Sequence, residues 1–428
     1  MDVAVESGVQ HDGRNLWTTS DALRTTALLA LFGTRERPAV GGLHKPSIIS
    51  QAVSRVECPG LTKLAAWMYP AVGQQVAQHE AGLRVFFYEF VTGGGFLDQP
   101  FDAIPKSLAD EGLAMRRAVE EDIALLPGVS LLSVNERRFP PTEIHGASVA
   151  SIASSARHDG EFDRLASSAD WTLLIAPEFD GKLERLARRV VACGGKLLGP
   201  AADLIALAAD KHRMAEHLIQ HQAPTPQGRR IARDEPLPRD VRYPCVLKPV
   251  DGAGSLGVEL IEDPEQVDAR SQFAFSSWRL EEHCPGLAAS IAVLCGKGEP
   301  FSLPGCVQLI SSDGQFQYLG GGAPLPPPLQ VRAHRLALAA VAALDDVVGY
   351  IGIDLVLGGD PEGGEDFVIE VNPRITTSYV GLRAICRGNL IRAMLDVAQG
   401  RAPQLEFDDS AIRFSPDGEV QYLAKACQ

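Results

Sequence analysis

Residues 243–258 read YPCVLKPVDGAGSLGV, an apolar strand-like run that ends at a lysine and continues into a glycine-rich loop. Because Gly252, Gly254 and Gly257 have no Cβ, backbone N–H groups of this loop can close over phosphate oxygens. Lys248 can place its ammonium group on the same phosphates. The chain contains no Walker A pattern, so the stretch predicts a phosphate-binding loop of another kind. A glycine-rich hairpin between two strands is the alternative.

Two later segments place acidic residues inside apolar runs. Residues 352–357 read GIDLVL, and residues 368–374 read VIEVNPR. A buried ionised carboxylate is costly unless it is paired or coordinates a metal. A hairpin through the polar turn between the segments would set Asp354 beside Glu370 and Asn372, and positions 370 and 372 share one face of a strand. Such oxygens suit Mg²⁺, so the segments predict a magnesium site, with salt-bridged core carboxylates as the alternative.

Length, composition and charge set bounds on the function. A chain of 428 residues can form two or three domains, since single domains usually span roughly 100–200 residues. The hydrophobic fraction of 45% and charged fraction of 22% are those of an ordinary globular protein. The net charge of −14 argues against nucleic acid as the main partner, because binding to its backbone needs a basic surface. With the phosphate loop and the oxygen ligands, these bounds favour ATP-driven chemistry on small molecules.

The sequence also predicts a cytoplasmic protein that does not enter a membrane. No run approaches the ~20 apolar residues of a membrane-spanning helix, and the best candidate, residues 25–32, is eight residues long. Eight cysteines are scattered without a C-x-x-C pair, a pattern that favours reduced thiols over a disulfide framework.

Strand-like and helical patterns alternate after residue 82. The pattern predicts strands over 83–90, 129–134 and 171–176, and helices over 104–125 and 183–193. Such alternation is typical of a parallel sheet with helices on its faces. Asp210 is placed to cap a further helix that begins at Lys211. The segment GGGAPLPPP at 320–328 predicts a connecting or substrate-covering loop.

These patterns divide the chain into four parts. We expect an N-terminal extension of unknown function over 1–82, an N-terminal α/β domain over 83–200, a nucleotide-binding domain over 201–400 and a tail over 401–428.

Three features resemble, in this order, those of the ATP-grasp ligases: the glycine loop after Lys248, the Glu281-Glu282 pair, and the Asp354…Glu370-x-Asn372 set. The resemblance covers roughly residues 200–400. It implies α/β and α+β architecture: an ATP-grasp fold, in which two α+β subdomains clamp ATP, preceded by a Rossmann-like α/β domain. Enzymes of this family join a carboxylate to an amine or thiol through an acylphosphate, and they release ADP and phosphate.

The resemblance also implies roles for individual residues. The implied nucleotide-binding residues are Lys211, Lys248, Gly252, Gly254, Ser255, Gly257, Glu281, Glu282 and Cys284. The implied ligands of two Mg²⁺ or Mn²⁺ ions are Asp354, Glu370 and Asn372. Lys248 and Arg374 are the implied catalytic residues, and Arg374 would hold the transferring phosphoryl group or the substrate carboxylate. Many family members carry a ribose-binding glutamate just after the glycine that corresponds to Gly286. This chain has Leu-Ala-Ala-Ser at 287–290 instead, so the resemblance implies no residue for the ribose contact.

A narrower resemblance covers about residues 83–400. Residues 87–95, the pair Gly286 and Ser290, and residues 372–382 are similar to the tyramine–glutamate ligases of methanofuran synthesis. It implies an amide between the γ-carboxylate of L-glutamate and tyramine or tyrosine, in one-carbon cofactor synthesis. Hydroxyls at 376–378 could shape the acceptor site, or these residues could form a turn and helix cap.

Two other functions stay open. One is a different ATP-grasp carboxylate–amine ligase or a carboxylase, and the other is a non-catalytic, ATP-binding regulatory protein. The expected partners are small molecules, with a homodimer as a possibility, and the acceptor amine is not fixed by the residues.

Overall fold

The computed structural model describes residues 82–424 apart from Ala253 and Val267, and the predicted extension lies outside these residues except for its last position. Within them, the chain begins with a parallel α/β domain. Its elements are β1 (Leu83–Glu89), α1 (Lys106–Ala124), β2 (Val129–Glu136), β3 (Ser148–Ile152), α2 (Ser155–Ser168), β4 (Trp171–Ile175) and α3 (Lys182–Ala192). The sheet order is β3-β2-β1-β4, with every pair parallel.

The predicted alternation of strands and helices is therefore confirmed, and one strand was missed. Residues 85–89 of β1 are buried because helices cover both faces of the sheet. The missed strand, β3, lies at the sheet edge and is only partly buried, so its sequence SVASI lacks a continuous apolar run. Because β2 and β4 lie on opposite sides of β1, the strand order reverses beside β1, and ligands of such sheets bind at the carboxyl ends there.

A small antiparallel sheet follows this domain. Two helices, α4 (Ala202–Ala209) and α5 (Lys211–Gln220), lead into β5 (Gly228–Ala232), β6 (Cys245–Pro249), β7 (Glu259–Ile261) and β8 (Ser277–Glu282). The strand order is β5-β8-β6-β7. Trp278, Leu247 and Ile231 are buried in the core beneath this sheet. The strand that carries Lys248 is thus held between two others.

A large antiparallel sheet forms the other subdomain. Its strands are β9 (Leu287–Cys295), β10 (Phe301–Ser302), β11 (Cys306–Ile310), β12 (Tyr318–Ala323), β13 (Gly349–Leu357), β14 (Phe367–Asn372), β15 (Ile412–Phe414) and β16 (Val420–Tyr422). Their order is β14-β13-β9-β11-β12-β15-β16, and β10 pairs with β9. Its helices are α6 (Pro327–Ala342), α7 (Ser378–Ile385) and α8 (Leu390–Ala398). Because β15 pairs with β12, residues after the predicted boundary at 400 belong to this sheet.

The prediction of a connecting or substrate-covering loop over 320–328 is wrong for most of these residues, and only residues 324–326 connect β12 to α6. Residues 320–323 form the buried end of β12, and residues from Pro327 onward begin α6. The glycines serve close packing: a Cβ at Gly321 would lie 2.5 Å from Cζ of Phe414, and a Cβ at Gly381 would overlap the same ring. A glycine-rich strand that accepts a large side chain resembles a loop in sequence.

Helix α1 fastens the α/β domain to the large subdomain. Asp122 accepts hydrogen bonds from the Tyr379 hydroxyl and from Nε and Nη2 of Arg383, and its backbone carbonyl accepts one from Asn389. Tyr379 is buried, and its pKa is raised well above the usual value by burial and then by Asp122. Charge-assisted bonds of this kind fix one end of α1 against α7.

No helix in the described ranges is long and apolar enough to cross a membrane.

Candidate active site

The glycine loop joins β6 to β7 beside the small sheet. Gly254 and Gly257 have φ values of +64° and +76°, which favour glycine, and Ser255 has a φ of +60°. A Cβ at Gly257 would lie 3.1 Å from Cη2 of Trp278. The backbone therefore turns tightly over a buried indole, and Gly252 is buried near the start of the loop.

Lys248 lies at the mouth of this loop and is 5% exposed. Its Nζ is 2.6 Å from Oε1 of Glu281 on β8 and donates to the backbone oxygen of Ile369 at 3.3 Å. Nε of Arg279 donates to the other oxygen of Glu281 at 2.6 Å. The lysine is thus fixed by a paired, hydrogen-bonded carboxylate, as a buried charge requires.

Lys211 approaches the same place from α5. Asp210 caps this helix, as predicted, by accepting hydrogen bonds from the N–H groups of His212 and Arg213. The Lys211 ammonium forms an ion pair with Oε1 of Glu370 on β14. Burial lowers the pKa of Lys211, but Glu370 more than offsets this and the pKa is raised. The structure therefore brings together a residue expected at the phosphates and one expected at the metal.

The predicted hairpin of β13 and β14 is present, and Asp354 is the register partner of Glu370. Oδ1 of Asp354 accepts from Gln308 at 2.8 Å, and Oδ2 accepts from Nδ2 of Asn372 at 3.1 Å. Burial raises the pKa of Asp354 to about 7, and the charge of Glu370 adds to the rise. A carboxylate with amide donors and another carboxylate for neighbours is stabilised by a cation.

The residues present fit a magnesium ion. Asp354 forms no ion pair with a lysine, arginine or histidine of the described residues, and Asn372 keeps its amide oxygen free of the bond to Asp354. No three His, Cys, Asp or Glu side chains cluster as a metal site in the described part of the chain. Mg²⁺ does not need such a cluster, because it binds one or two carboxylates together with substrate phosphates and water.

Arg374 follows β14 and meets a residue of the α/β domain. Its Nε lies 2.8 Å from Oε1 of Glu178, and its Nη2 donates to Oε2 at 3.1 Å. Glu178 comes three residues after β4, at the carboxyl end of the parallel sheet. Burial lowers the pKa of Arg374, but Glu178 and then Glu111 and Glu370 raise it above its usual value.

Comparison with known proteins agrees with this geometry. Residues 208–378 match the family model of an ATP-grasp domain, and residues 129–205 match that of a pre ATP-grasp 3 domain. The chain carries an ATP-grasp domain.

One relative is the tyramine–L-glutamate ligase of Methanocaldococcus fervens, 23% identical over 302 residues, which are 70% of this chain and 89% of that protein. Among solved structures, one match is an N5-carboxyaminoimidazole synthase from Aspergillus clavatus, solved in complex with ADP and 5-aminoimidazole ribonucleotide. Its TM-score is 0.58 and its identity 17%, and the match covers 78% of this chain and 82% of that chain. The biotin carboxylase domain dimer of a Hydrogenobacter thermophilus carboxylase, solved with MgADP, ADP and bicarbonate, matches with a TM-score of 0.57 and 18% identity, over 78% and 74%.

These likenesses confirm the predicted ATP-grasp fold with an α/β domain before it. They also support the predicted enzyme class, an ATP-grasp ligase that forms a carbon–nitrogen bond.

The resemblance implies that Glu281, Glu282 and Cys284 hold the adenine of ATP, and these residues lie at the end of β8 and just after it. Glu281 pairs in register with Gly228 of β5 and Val246 of β6, and its carboxylate holds Lys248 and Arg279, as described above. The N–H of Glu282 donates to Gln227, and its carbonyl accepts the thiol of Cys284 at 3.7 Å. Burial raises the pKa of that thiol to about 12. Glu281 therefore acts on Lys248 with its side chain, whereas the nucleotide contacts of all three residues stay predictions.

Sequence reasoning missed two contributions of the α/β domain to the ATP-grasp site. Glu178 pairs with Arg374, and the N–H of Asp180 donates to the carboxylate of Asp251 at the start of the glycine loop. The segment 178–180 thus touches both sides of the site. Its position just after a parallel strand was the one available signal, since ligand-binding residues concentrate there.

Proposed function

We propose that the protein is an ATP-dependent ligase that joins the γ-carboxylate of L-glutamate to tyramine or tyrosine as an amide. One observation carries the proposal: Lys248, Lys211, the Asp354–Glu370 pair and Arg374 converge on one place between the two subdomains. The similarity to a tyramine–L-glutamate ligase over most of both chains supports this choice of substrates. The product would be an amide of the kind used in methanofuran-type cofactor synthesis.

The reaction has two steps. An oxygen of the γ-carboxylate attacks the γ-phosphorus of ATP, the bond to the bridging oxygen breaks, and ADP leaves with that electron pair. The amine nitrogen then attacks the acyl carbon, the carbon–oxygen bond to phosphate breaks, and the nitrogen loses a proton. The products are the amide, ADP and inorganic phosphate.

The chain supplies mainly position and charge. The glycine loop would cover the β- and γ-phosphates, and Lys248 would contact the α- and β-phosphates. Lys211 would leave Glu370 for the same α- and β-phosphates when the nucleotide binds. Asp354, Glu370 and Asn372 would bind two magnesium ions, which neutralise charge that develops on the phosphates. Reacting groups held in place can gain roughly 7–11 kcal/mol over free encounter.

Arg374 would bind an oxyanion of the substrate or of the transferred phosphoryl group. Its guanidinium is largely buried and already holds a carboxylate, Glu178, and this pairing supports a role in binding an oxyanion. A planar fork of donors suits carboxylate and phosphate oxygens. A homodimer remains part of the proposal, and light scattering of the purified protein would test it.

The experiment is incubation of purified protein with ATP, Mg²⁺ and L-glutamate, with tyramine, tyrosine or other amines added separately. ADP and phosphate release are followed, and products are identified by mass. A γ-glutamyl amide of an aromatic amine is the expected product. ADP release with another carboxylate and amine would show a ligase with other substrates than those proposed. ADP release with bicarbonate would indicate a carboxylase. ATP binding without turnover on any pair would favour a regulatory protein.

A further inference from the structure

Glu178 and Arg374 pair incompletely. The 2.8 Å contact between Nε of Arg374 and Oε1 of Glu178 lacks hydrogen-bond geometry, so both atoms are buried without a hydrogen bond. Glu178 is only 6% exposed. A buried polar atom that lacks a partner is costly, and native structures keep few of them. Each of these two atoms therefore lacks one hydrogen bond.

Glu111 is a second carboxylate that reaches the site from the α/β domain. It accepts a hydrogen bond from the Thr377 hydroxyl, and its charge acts on Arg374 and on Tyr318. Thr377 precedes α7 but does not cap it with its side chain, so the hydroxyl is committed to Glu111. No lysine, arginine or histidine of the described residues forms an ion pair with Glu111.

The position of Glu111 is fixed by the rest of its helix. Glu111 and Asp122 are eleven residues apart on α1, which is three helical turns, so they share a face. Asp122 is bound by Tyr379 and Arg383 of α7, while Thr377 at the start of the same helix binds Glu111. Contacts at both ends of the interface between α1 and α7 thus fix the helix, and with it the Glu111 carboxylate.

Glu111 differs from Glu178, Glu281 and Glu370 because no cation of the described residues pairs with it. Lys211 pairs with Glu370, Lys248 and Arg279 share Glu281, and Arg374 pairs with Glu178. Glu111 has only a hydroxyl. When Arg374 binds a substrate oxyanion, Glu178 also loses part of its counter-charge. Glu178, which contacts the Arg374 guanidinium, and Glu111, whose charge acts on it, complement a ligand that carries an anionic and a cationic group together.

We infer that Glu178 and Glu111 form a subsite for a cationic amino group, either the α-ammonium of the carboxylate donor or the ammonium of the acceptor amine before it loses its proton. The inference rests on the proposed function and names the substrate feature that the site recognises. In both cases the amino group binds to Glu178 and Glu111 while an oxyanion binds to Arg374. Glu178 and Glu111 are then specificity-determining residues, contributed by the domain that precedes the ATP-grasp domain.

The test compares Glu111→Gln and Glu178→Gln with wild type and with the control Asp110→Asn, which removes an exposed charge one residue away. Steady-state KM is measured for ATP, for the donor and for the acceptor. We expect KM of the ammonium-bearing substrate to rise at least about tenfold, as for a lost charge-assisted hydrogen bond, with KM of ATP unchanged. Glu111→Gln retains the bond from Thr377, so it should fold even if Glu178→Gln does not.

Two arms distinguish the sources of the amino group. In the donor arm, wild type should prefer L-glutamate to glutarate, which lacks the α-amino group, and the variants should lose this preference. If the amino group belongs to the acceptor, the variants should keep the preference for L-glutamate over glutarate, and their KM for the amine should rise. The inference is overturned if neither KM changes in Glu111→Gln, or if KM of ATP rises equally.

If wild type shows no turnover with L-glutamate and aromatic amines, the proposed function fails, and calorimetry with MgADP then tests the subsite alone. Amino acids should bind at least about tenfold more tightly than their deaminated forms in wild type and not in Glu111→Gln, and equal binding in wild type overturns the inference.

Discussion

Lys211 on α5 and Glu370 on β14 form an ion pair that joins the two sides of the nucleotide site. The lysine is expected at the phosphates and the carboxylate at the metal, so each neutralises the other in the absence of ligand. We therefore predict that binding of MgATP separates them.

Replacing Lys211 with Met leaves the carboxylate of Glu370 without this partner. We expect KM of ATP to rise at least about tenfold, because a charged contact to phosphate is lost. We also expect Mg²⁺ alone to raise the melting temperature more in the variant than in wild type, because the metal replaces the lost cation. Lys297→Met, at an exposed site, is the control. Equal metal-induced shifts in wild type and variant would contradict the assignment of Glu370 as a ligand.

Asp354→Asn and Glu370→Gln test the metal site directly. Each should lower turnover at least about a hundredfold, the size of loss typical of a preorganised electrostatic group. Asp354→Asn should not lower the melting temperature, because it removes a half-buried carboxylate whose pKa burial has already raised. Glu362→Gln in the exposed turn of the same hairpin should behave as wild type. Full ADP release by either site variant would refute the metal assignment.

The Asp354–Glu370 hairpin could be predicted because its cause is local. Positions two apart on a strand share a face, and a polar turn between apolar runs sets the strands side by side. The Lys248 loop could be predicted for the same reason, since strand, lysine and glycines are contiguous.

The pairing of Arg374 with Glu178 could not be predicted. These residues are 196 positions apart, and they meet across the contact of the large subdomain with the α/β domain, which α1 fixes against α7. Glu178 follows an ordinary Ala-Pro turn, and nothing beside it in the sequence indicates a partner. The prediction for residues 320–323 was wrong for a related reason. A glycine is needed in this strand because the ring of Phe414, more than ninety residues away, packs against Gly321.

Glu281 provides a test of the network behind Lys248. Glu281→Leu removes the counter-charge of both Lys248 and the fully buried Arg279. We expect a loss of about 3–5 kcal/mol in the free energy of unfolding, as for a buried pair that loses one partner. Urea denaturation measures it, and Glu282→Leu at the next, exposed position is the control. Equal stability of the two variants would show that Glu281 does not hold this network.

Gly381→Ala tests the packing around Phe414, whose ring contacts Gly381 on α7 and also Gly321 on β12. The new Cβ would overlap the ring of Phe414, so we expect a loss of about 1–3 kcal/mol in the free energy of unfolding. In the background of Phe414→Leu the same change should cost less, since the overlapping ring is gone. Additive effects of the two substitutions, measured in urea, would contradict this contact.

Transfer of ¹⁸O tests the central claim, that a carboxylate is activated by phosphorylation, most directly. The protein is incubated with ATP, Mg²⁺, an aromatic amine and L-glutamate labelled with ¹⁸O in its γ-carboxylate. We predict that the released phosphate carries one ¹⁸O atom and that the amide retains the other. Amide formation with unlabelled phosphate would contradict the acylphosphate and with it the proposed mechanism.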